Sequence, residues 1–111
     1  MDEQLKAWSS RLVRWAQGKP EISELWLFGS RVRGDFREDS DLDVAVVMVG
    51  GDEGDRLGNW ICLSDEWETE LNALIPVKVD LDLGDEDISK VVVAPALKRE
   101  GIRIFFRGEN E

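Results

Sequence analysis

Two aspartates lie two positions apart in the stretch "SDLDVAVV", where Asp41 and Asp43 lead directly into a run of Val and Ala. Residues i and i+2 of an extended strand point to the same face, so we expect both carboxylates on one side of a sheet. Such a carboxylate pair can share divalent cations, and Mg²⁺ prefers oxygen ligands of this kind. The pair therefore predicts a metal site that attracts phosphates through the metal.

A glycine–serine pair precedes the two aspartates. Gly29 and Ser30 end a short apolar segment, and ten residues separate Ser30 from Asp41. Backbone N–H groups at such a strand-to-helix turn, together with the serine hydroxyl, form an anion cradle that suits phosphate. Ten residues suffice for a short helix and a turn that return the chain as a neighbouring strand. We therefore expect the cradle to lie beside Asp41 and Asp43.

A third carboxylate comes from the segment "VKVDLDL", in which apolar and polar residues alternate as in a strand with one buried face. Lys78, Asp80 and Asp82 share its polar face. Asp80 can supply the third metal ligand, and Asp82 on the same face is the alternative. A solvated strand residue is the favoured interpretation of Asp82 and of Lys78. Three carboxylates, Mg²⁺ and a phosphate cradle suit attack of a hydroxyl on the α-phosphate of a nucleoside triphosphate.

Two arginines follow the glycine–serine pair. The planar guanidinium groups of Arg31 and Arg33 suit bidentate contact with phosphate oxygens. The same side chains are equally suited to ion pairs with the acids of the connecting segment, namely Asp35, Glu38 and Asp39. The sequence leaves both interpretations open.

Composition excludes several classes of function. The chain has 24 acidic and 14 basic side chains and a net charge of −10, which disfavours a direct nucleic-acid surface. It contains no histidine, so Ser-His-Asp and Cys-His catalysis and His-ligated zinc are excluded. A single cysteine rules out an intramolecular disulfide and fits a reducing compartment. No signal-peptide pattern and no run of about 20 apolar residues is present, so we expect a cytoplasmic protein without a membrane contact.

Apolar periodicity predicts the elements that must position these residues. At 111 residues the chain fits one domain, 1–111, with a polar tail at about 107–111. Helices are expected at Glu3 to Gln17, from Ser30, and at Asp55 to Leu74, with a further helical region interrupted near Pro95. Strands are expected in "ELWLFG", "DLDVAVVMVG", "VKVDLDL" and "IRIFF". This order predicts an α+β (α/β mixed) domain with a small mixed sheet of about four strands flanked by helices.

Helical spacing also predicts core residues. Four tryptophans are expected to pack in the core: Trp8, Trp15, Trp60 and Trp67. Trp26 shares a strand face with Phe28, and the sequence does not say whether that face is covered. We expect Cys62 to be a small buried side chain.

The motifs together resemble a known family. The order "GS", ten residues, "DLD", a hydrophobic strand and a later "VDLDL" closely resembles the nucleotidyltransferase superfamily typified by DNA polymerase beta. The short chain is most similar to the minimal nucleotidyltransferases (MNT), the antitoxins of HEPN/MNT toxin–antitoxin pairs. By position, Gly29 and Ser30 match the family's phosphate-binding pair, Asp41 and Asp43 its two metal-binding aspartates, and Asp80 its third.

The resemblance implies a nucleotidyltransferase fold, two Mg²⁺ ions, ATP as donor, and transfer of AMP to a hydroxyl of a partner HEPN toxin. It implies catalytic and metal-binding roles for Asp41, Asp43 and Asp80. A homo- or hetero-oligomer is compatible with this interpretation. Two alternatives stay open: a transferase acting on a small molecule such as an antibiotic, and a non-catalytic module of the same fold that binds its partner.

Overall fold

The computed structural model describes residues 2–85 and 93–107, apart from the side chain of Ala94. These residues form four helices and four strands in alternation, which confirms the predicted order. The elements are α1 Glu3–Gln17, β1 Ile22–Phe28, α2 Ser30–Arg33, β2 Leu42–Met48, α3 Glu53–Leu74, β3 Val79–Leu83, α4 Val93–Glu100 and β4 Ile102–Phe106.

The four strands form one mixed sheet in the order β3-β2-β1-β4. Strand β1 is antiparallel to both β2 and β4, whereas β2 and β3 are parallel and are joined through α3. The predicted α+β fold with a small mixed sheet is thus confirmed. In this topology the end of β1 lies beside the starts of β2 and β3, which brings three predicted site segments to one end of the sheet.

The main core lies on the sheet face covered by α1 and α3. Trp8 and Trp67 are buried there, as predicted, while Trp15 and Trp60 are partly buried against the same core. Trp26 belongs to the opposite face, where it packs on a smaller cluster that contains Leu97 of α4. Helix α4 therefore covers the face that the sequence left undecided.

Two sequence predictions are wrong. Cys62 is exposed, because Trp60, Leu63 and Trp67 direct one side of α3 to the core and position 62 lies on another side of the helix. Pro95 does not interrupt α4, which continues through it from Val93 to Glu100. An N–H at position 95 would have no i−4 acceptor within this described range.

Residues 86–92, which precede α4, lie outside the described residues, as does most of the predicted tail at 107–111. Within the described ranges no helix is both long enough and apolar enough to cross a bilayer.

Candidate active site

Strand register gathers the predicted site residues at one end of the sheet. Phe28, the last residue of β1, is paired with Asp43 of β2, and Asp43 is paired with Asp80 of β3. Gly29 follows Phe28 directly, and Asp41 immediately precedes β2. The glycine–serine turn and the three aspartates therefore lie on adjacent strands at the same end of the sheet.

The turn at Gly29 is in direct contact with Asp43. Gly29 has φ of 84°, a left-handed conformation that favours glycine. A Cβ added at this position would lie only 1.9 Å from Oδ2 of Asp43, so any other residue would displace the carboxylate. The glycine is needed both for the shape of the turn and for the close approach of the Asp43 carboxylate. This contact is a physical reason for the "GS" and "DLD" motifs to occur together.

The carboxylates at this end repel one another. Burial raises the pKa of Asp43 to about 6, and the charges of Asp80, Asp82 and Asp41 add to the rise, with Arg33 opposing it in part. Carboxylates with raised pKa values that face one another are typical of functional sites, because a framework position would have paired them with cations.

Asp80 and Asp41 are close enough to share a hydrogen bond. Burial raises the pKa of Asp80, and the hydrogen bond and charge of Asp41 raise it further, while Lys78 lowers it. Nζ of Lys78 lies 3.7 Å from Asp80 and 4.0 Å from Asp41, but 68% of the lysine side chain is exposed. An exposed lysine of this kind contributes little binding energy and is free to rotate away.

Asp82 lies one step further along the same face. Burial raises its pKa, followed by the charges of Asp80 and Glu68. Its register partner on β2 is Ala45, whereas the partner of Asp80 is Asp43. The geometry thus groups Asp80 with Asp41 and Asp43, and the assignment of Asp80 as the third metal ligand stays a prediction.

Helix α3 holds the strand that carries Asp80. Asn72 accepts a hydrogen bond from the Val79 N–H at 2.9 Å and donates to the Val79 carbonyl at 3.2 Å, while Glu68 accepts from the Leu81 N–H at 3.0 Å. These side chains satisfy backbone groups on the outer edge of β3, which is an edge strand. The position of Asp80 relative to β2 is therefore fixed from both sides.

The carboxylate oxygens of Asp41, Asp43 and Asp80 are ligands of the kind that Mg²⁺ prefers, although the three side chains do not converge on one point. In residues 2–85 and 93–107, no three Asp, Glu or Cys side chains converge into a ready-made metal site. Asp41 nevertheless lies near enough to Asp80 to raise the pKa of its carboxyl, after burial, so carboxylates from neighbouring strands approach one another here. A divalent cation held by these carboxylates would neutralise the repulsion that, after burial, raises the pKa of Asp43.

Arg31 is part of the framework of the connecting segment. Its guanidinium group is buried and donates to the main-chain carbonyls of Ser40 at 3.0 Å and Glu38 at 2.9 Å. It also lies over the rings of Trp8 and Phe36, at 5.0 and 4.7 Å from their centroids. These contacts hold the chain that returns to β2, so Arg31 positions the site; the phosphate contact suggested for it stays a prediction.

Arg33 faces the site and contacts an acid that sequence reasoning missed. Its Nη1 lies 2.9 Å from Oε2 of Glu100, and its Nε lies 3.3 Å from Asp35. The same Oε2 accepts a hydrogen bond of 2.7 Å from the N–H of Gly29. The sequence carries one signal for Glu100: it is an acid in the last turn of α4, where the helix dipole favours cations.

Solved structures share this architecture. A crystal structure of a toxin–antitoxin with AMP-PNP matches with a TM-score of 0.64 and 19% identity over 92% of this chain and 76% of that chain. A tri-AMPylated Shewanella oneidensis HEPN toxin in complex with MNT antitoxin matches with a TM-score of 0.60 and 18% identity, over 95% and 75%. A putative nucleotidyltransferase from Sulfolobus solfataricus matches with a TM-score of 0.53 and 24% identity, over 96% and 86%. At these identities the similarity shows the fold.

Sequence comparison gives the family. No curated protein matches this chain. The family model described as polymerase beta nucleotidyltransferase matches residues 10–110, a range that includes the glycine–serine turn and all three aspartates. The resemblance stated from the motifs is thereby confirmed, and the chain belongs to the polymerase beta nucleotidyltransferase family.

Proposed function

We propose that this protein is a Mg²⁺-dependent nucleotidyltransferase that transfers AMP from ATP to a hydroxyl of a partner HEPN toxin and acts as the antitoxin. The observation that carries the proposal is the contact between the Gly29 turn and Asp43, with Asp41 and Asp80 on the same end of the sheet. A phosphate cradle touching a cluster of carboxylates is the arrangement that nucleotide transfer requires.

Each side chain has a role in holding the reactants. Asp41 and Asp43 would hold two Mg²⁺ ions, with Asp80 on one of them. When bound, the ions neutralise the phosphates and stabilise the charge of the transition state. The Gly29 N–H and Ser30 bind oxygens of the β- and γ-phosphates, and Arg33 adds a charge-assisted hydrogen bond.

The transfer step forms one bond and breaks one. The acceptor hydroxyl oxygen forms a bond to the α-phosphorus, and the bond from that phosphorus to the bridging oxygen of the β-phosphate breaks. The electron pair leaves with pyrophosphate, which the Gly29 turn retains until release. Asp80 takes the proton of the acceptor hydroxyl, since it lies on the edge strand with 40% of its side chain exposed.

The partner is inferred from the structural neighbours. One of them is a tri-AMPylated HEPN toxin in complex with MNT antitoxin, which associates this fold with a protein that carries AMP. Another is a toxin–antitoxin with AMP-PNP, an ATP analogue. These neighbours support a protein acceptor over a small-molecule acceptor for a chain of the same fold.

The test is transfer of labelled AMP from ATP to a co-expressed HEPN toxin, with and without Mg²⁺. Removing the metal ligands in Asp41→Asn/Asp43→Asn should reduce labelling by about a thousandfold or more, because metal stabilisation of transition-state charge is worth several kcal/mol. The matched control is Asp65→Asn/Glu66→Gln, which removes the same charge from exposed positions of α3. If the wild type and the Asp41/Asp43 variant inhibit the toxin equally and no label is incorporated, the protein is a non-catalytic binding module instead.

A further inference from the structure

The carboxylate of Glu100 lies between two hydrogen-bond donors, the Gly29 N–H and the Arg33 guanidinium, which we call the cradle donors. A single oxygen, Oε2, accepts the Gly29 N–H at 2.7 Å and lies 2.9 Å from Nη1 of Arg33. The sequence predicts a phosphate contact for the Gly29 turn, and a phosphate contact is one of the two interpretations that it leaves open for Arg33. Their meeting on one oxygen shows that they reach the same point, and that an anionic oxygen is bound there in the described structure.

Glu100 is held in this place by the packing of α4. Its side chain is only 12% exposed. The next residue, Gly101, allows a close approach: a Cβ there would lie 2.6 Å from the carbonyl oxygen of Leu97 and 3.0 Å from the ring of Trp26. Leu97 itself packs in the smaller core cluster with Phe28, the last residue of β1. The end of α4 is therefore fixed against the end of β1, directly beside Gly29.

We propose that Glu100 is a built-in competitor for the donor triphosphate, whose carboxylate mimics a phosphate oxygen and must be displaced before the nucleotide binds. This inference rests on the proposed function, since it takes the Gly29 turn as the triphosphate site. A carboxylate oxygen and a phosphate oxygen accept the same hydrogen bonds from a main-chain N–H and a guanidinium group. Two anions do not occupy one set of donors, so binding of one excludes the other.

Competition of this kind weakens the apparent affinity for nucleotide. The binding-competent state is the fraction of molecules in which Glu100 has left Gly29 and Arg33, and the observed dissociation constant rises as that fraction falls. Removing the carboxylate should therefore tighten triphosphate binding. Coupling energies of this type correspond to factors of about 5 to 150, and we expect about tenfold.

The experiment measures binding by calorimetry for two probes: inorganic tripolyphosphate without metal, and ATP with Mg²⁺. The variants are Glu100→Gln and Glu100→Ala, so that the result does not depend on one variant folding well. The matched control is Asp35→Asn. It also removes a negative charge next to Arg33, but the Gly29 N–H donates to Glu100 and not to Asp35. We expect both Glu100 variants to bind tripolyphosphate about tenfold more tightly than the wild type, and Asp35→Asn to change binding less than threefold by weak surface electrostatics.

The Gly29 amide provides a second readout. In ¹⁵N spectra of the ligand-free protein, its resonance should shift in Glu100→Ala and should shift on addition of tripolyphosphate to the wild type, because both remove the same carboxylate. Unchanged or weaker binding by both Glu100 variants would overturn the competition while leaving the nucleotide site intact. An equal gain in Asp35→Asn would overturn it too, since charge alone would then explain the effect. If neither probe binds any variant, the proposed function itself fails along with this inference.

Discussion

Two aspartates at opposite ends of the same parallel strand pair have opposite environments. Asp85, just beyond the end of β3, is buried and forms an ion pair with Arg56 of α3. Asp43, near the start of β2, is half-buried and faces three other aspartates, which help to raise its pKa to about 6. A buried charge is costly unless it is paired. The paired aspartate therefore belongs to the framework, and the repelled one lies where the proposed function places a divalent cation.

The largest effect on stability is expected at the paired end. Asp85→Ala leaves the guanidinium of Arg56 without this carboxylate, and breaking a buried pair should cost about 3 kcal/mol of the free energy of unfolding. Urea denaturation would measure the loss. Asp39→Asn, an exposed change in the connecting segment, is the control and should cost less than about 0.5 kcal/mol. A loss below about 1 kcal/mol for Asp85→Ala would mean that the pair is not part of the framework.

Substitutions near Asp43 should lower AMP transfer. The loss should differ between the two aspartates of β3. Asp80→Asn removes a carboxylate that is in register with Asp43 and close to Asp41, so labelled AMP transfer should fall by about a hundredfold. Asp82→Asn removes the same charge from the same face, opposite Ala45, and should change transfer by about threefold or less. The reverse order would make Asp82 the third metal ligand.

Removing a repelled charge should stabilise the ligand-free protein. The pKa of Asp43 is raised in the folded state, so the unfolded chain loses this proton first as the pH rises from about 4 to 6. The folded state therefore loses stability across that window, and Asp43→Asn should avoid the loss. Allowing for solvent screening, we expect the variant to be more stable by about 1 kcal/mol at pH 7 and no more stable at pH 3.

Denaturation of both proteins at the two pH values would check this prediction. Asp39→Asn again serves as the control, since it removes an exposed carboxylate of the connecting segment. A variant that is less stable than the wild type at pH 7 would show that Asp43 makes a net favourable contact in the fold, and the contrast with Asp85 would then be lost.

The smallest effect is the response to metal. Millimolar Mg²⁺ or Mn²⁺ should raise the melting temperature of the wild type by about 2 to 4 °C, because a cation bound only by the folded state stabilises it. Asp41→Asn/Asp43→Asn should show no such rise, and NaCl at equal ionic strength controls for general screening. An equal rise in the variant would place the bound metal elsewhere.

Local patterns predicted the elements because apolar spacing and the glycine and proline breaks act over a few residues. Helix α1 and the alternation of β3 follow from them. The two wrong predictions, for Cys62 and Pro95, also concern effects that act over a few residues. The prediction for Cys62 follows its residue type and not its angle around α3, and the prediction for Pro95 follows the general rule that proline breaks helices, whereas α4 continues through it.

The candidate site was predictable to the extent that it depends on strand geometry. Asp41 and Asp43 share a face because they are two residues apart, and the alternation of "VKVDLDL" places Asp80 on one face of β3. The sequence did not decide the roles of Arg31 and Arg33, because a guanidinium group serves a carbonyl, a carboxylate or a phosphate equally well. Burial separates them: Arg31 is enclosed by the connecting segment, and Arg33 is exposed beside the site.

The sequence by itself determined which chemical groups this protein brings to its site and which of them share a strand face, because residue type and the period of a strand are local properties. Only the tertiary structure decided that the Gly29 turn touches Asp43 and that Glu100 occupies the cradle donors. Glu100 lies 71 residues from Gly29, and the packing of α4 on the sheet brings the two together. Contacts across such separations follow from how helices and strands pack, which no short stretch of sequence specifies.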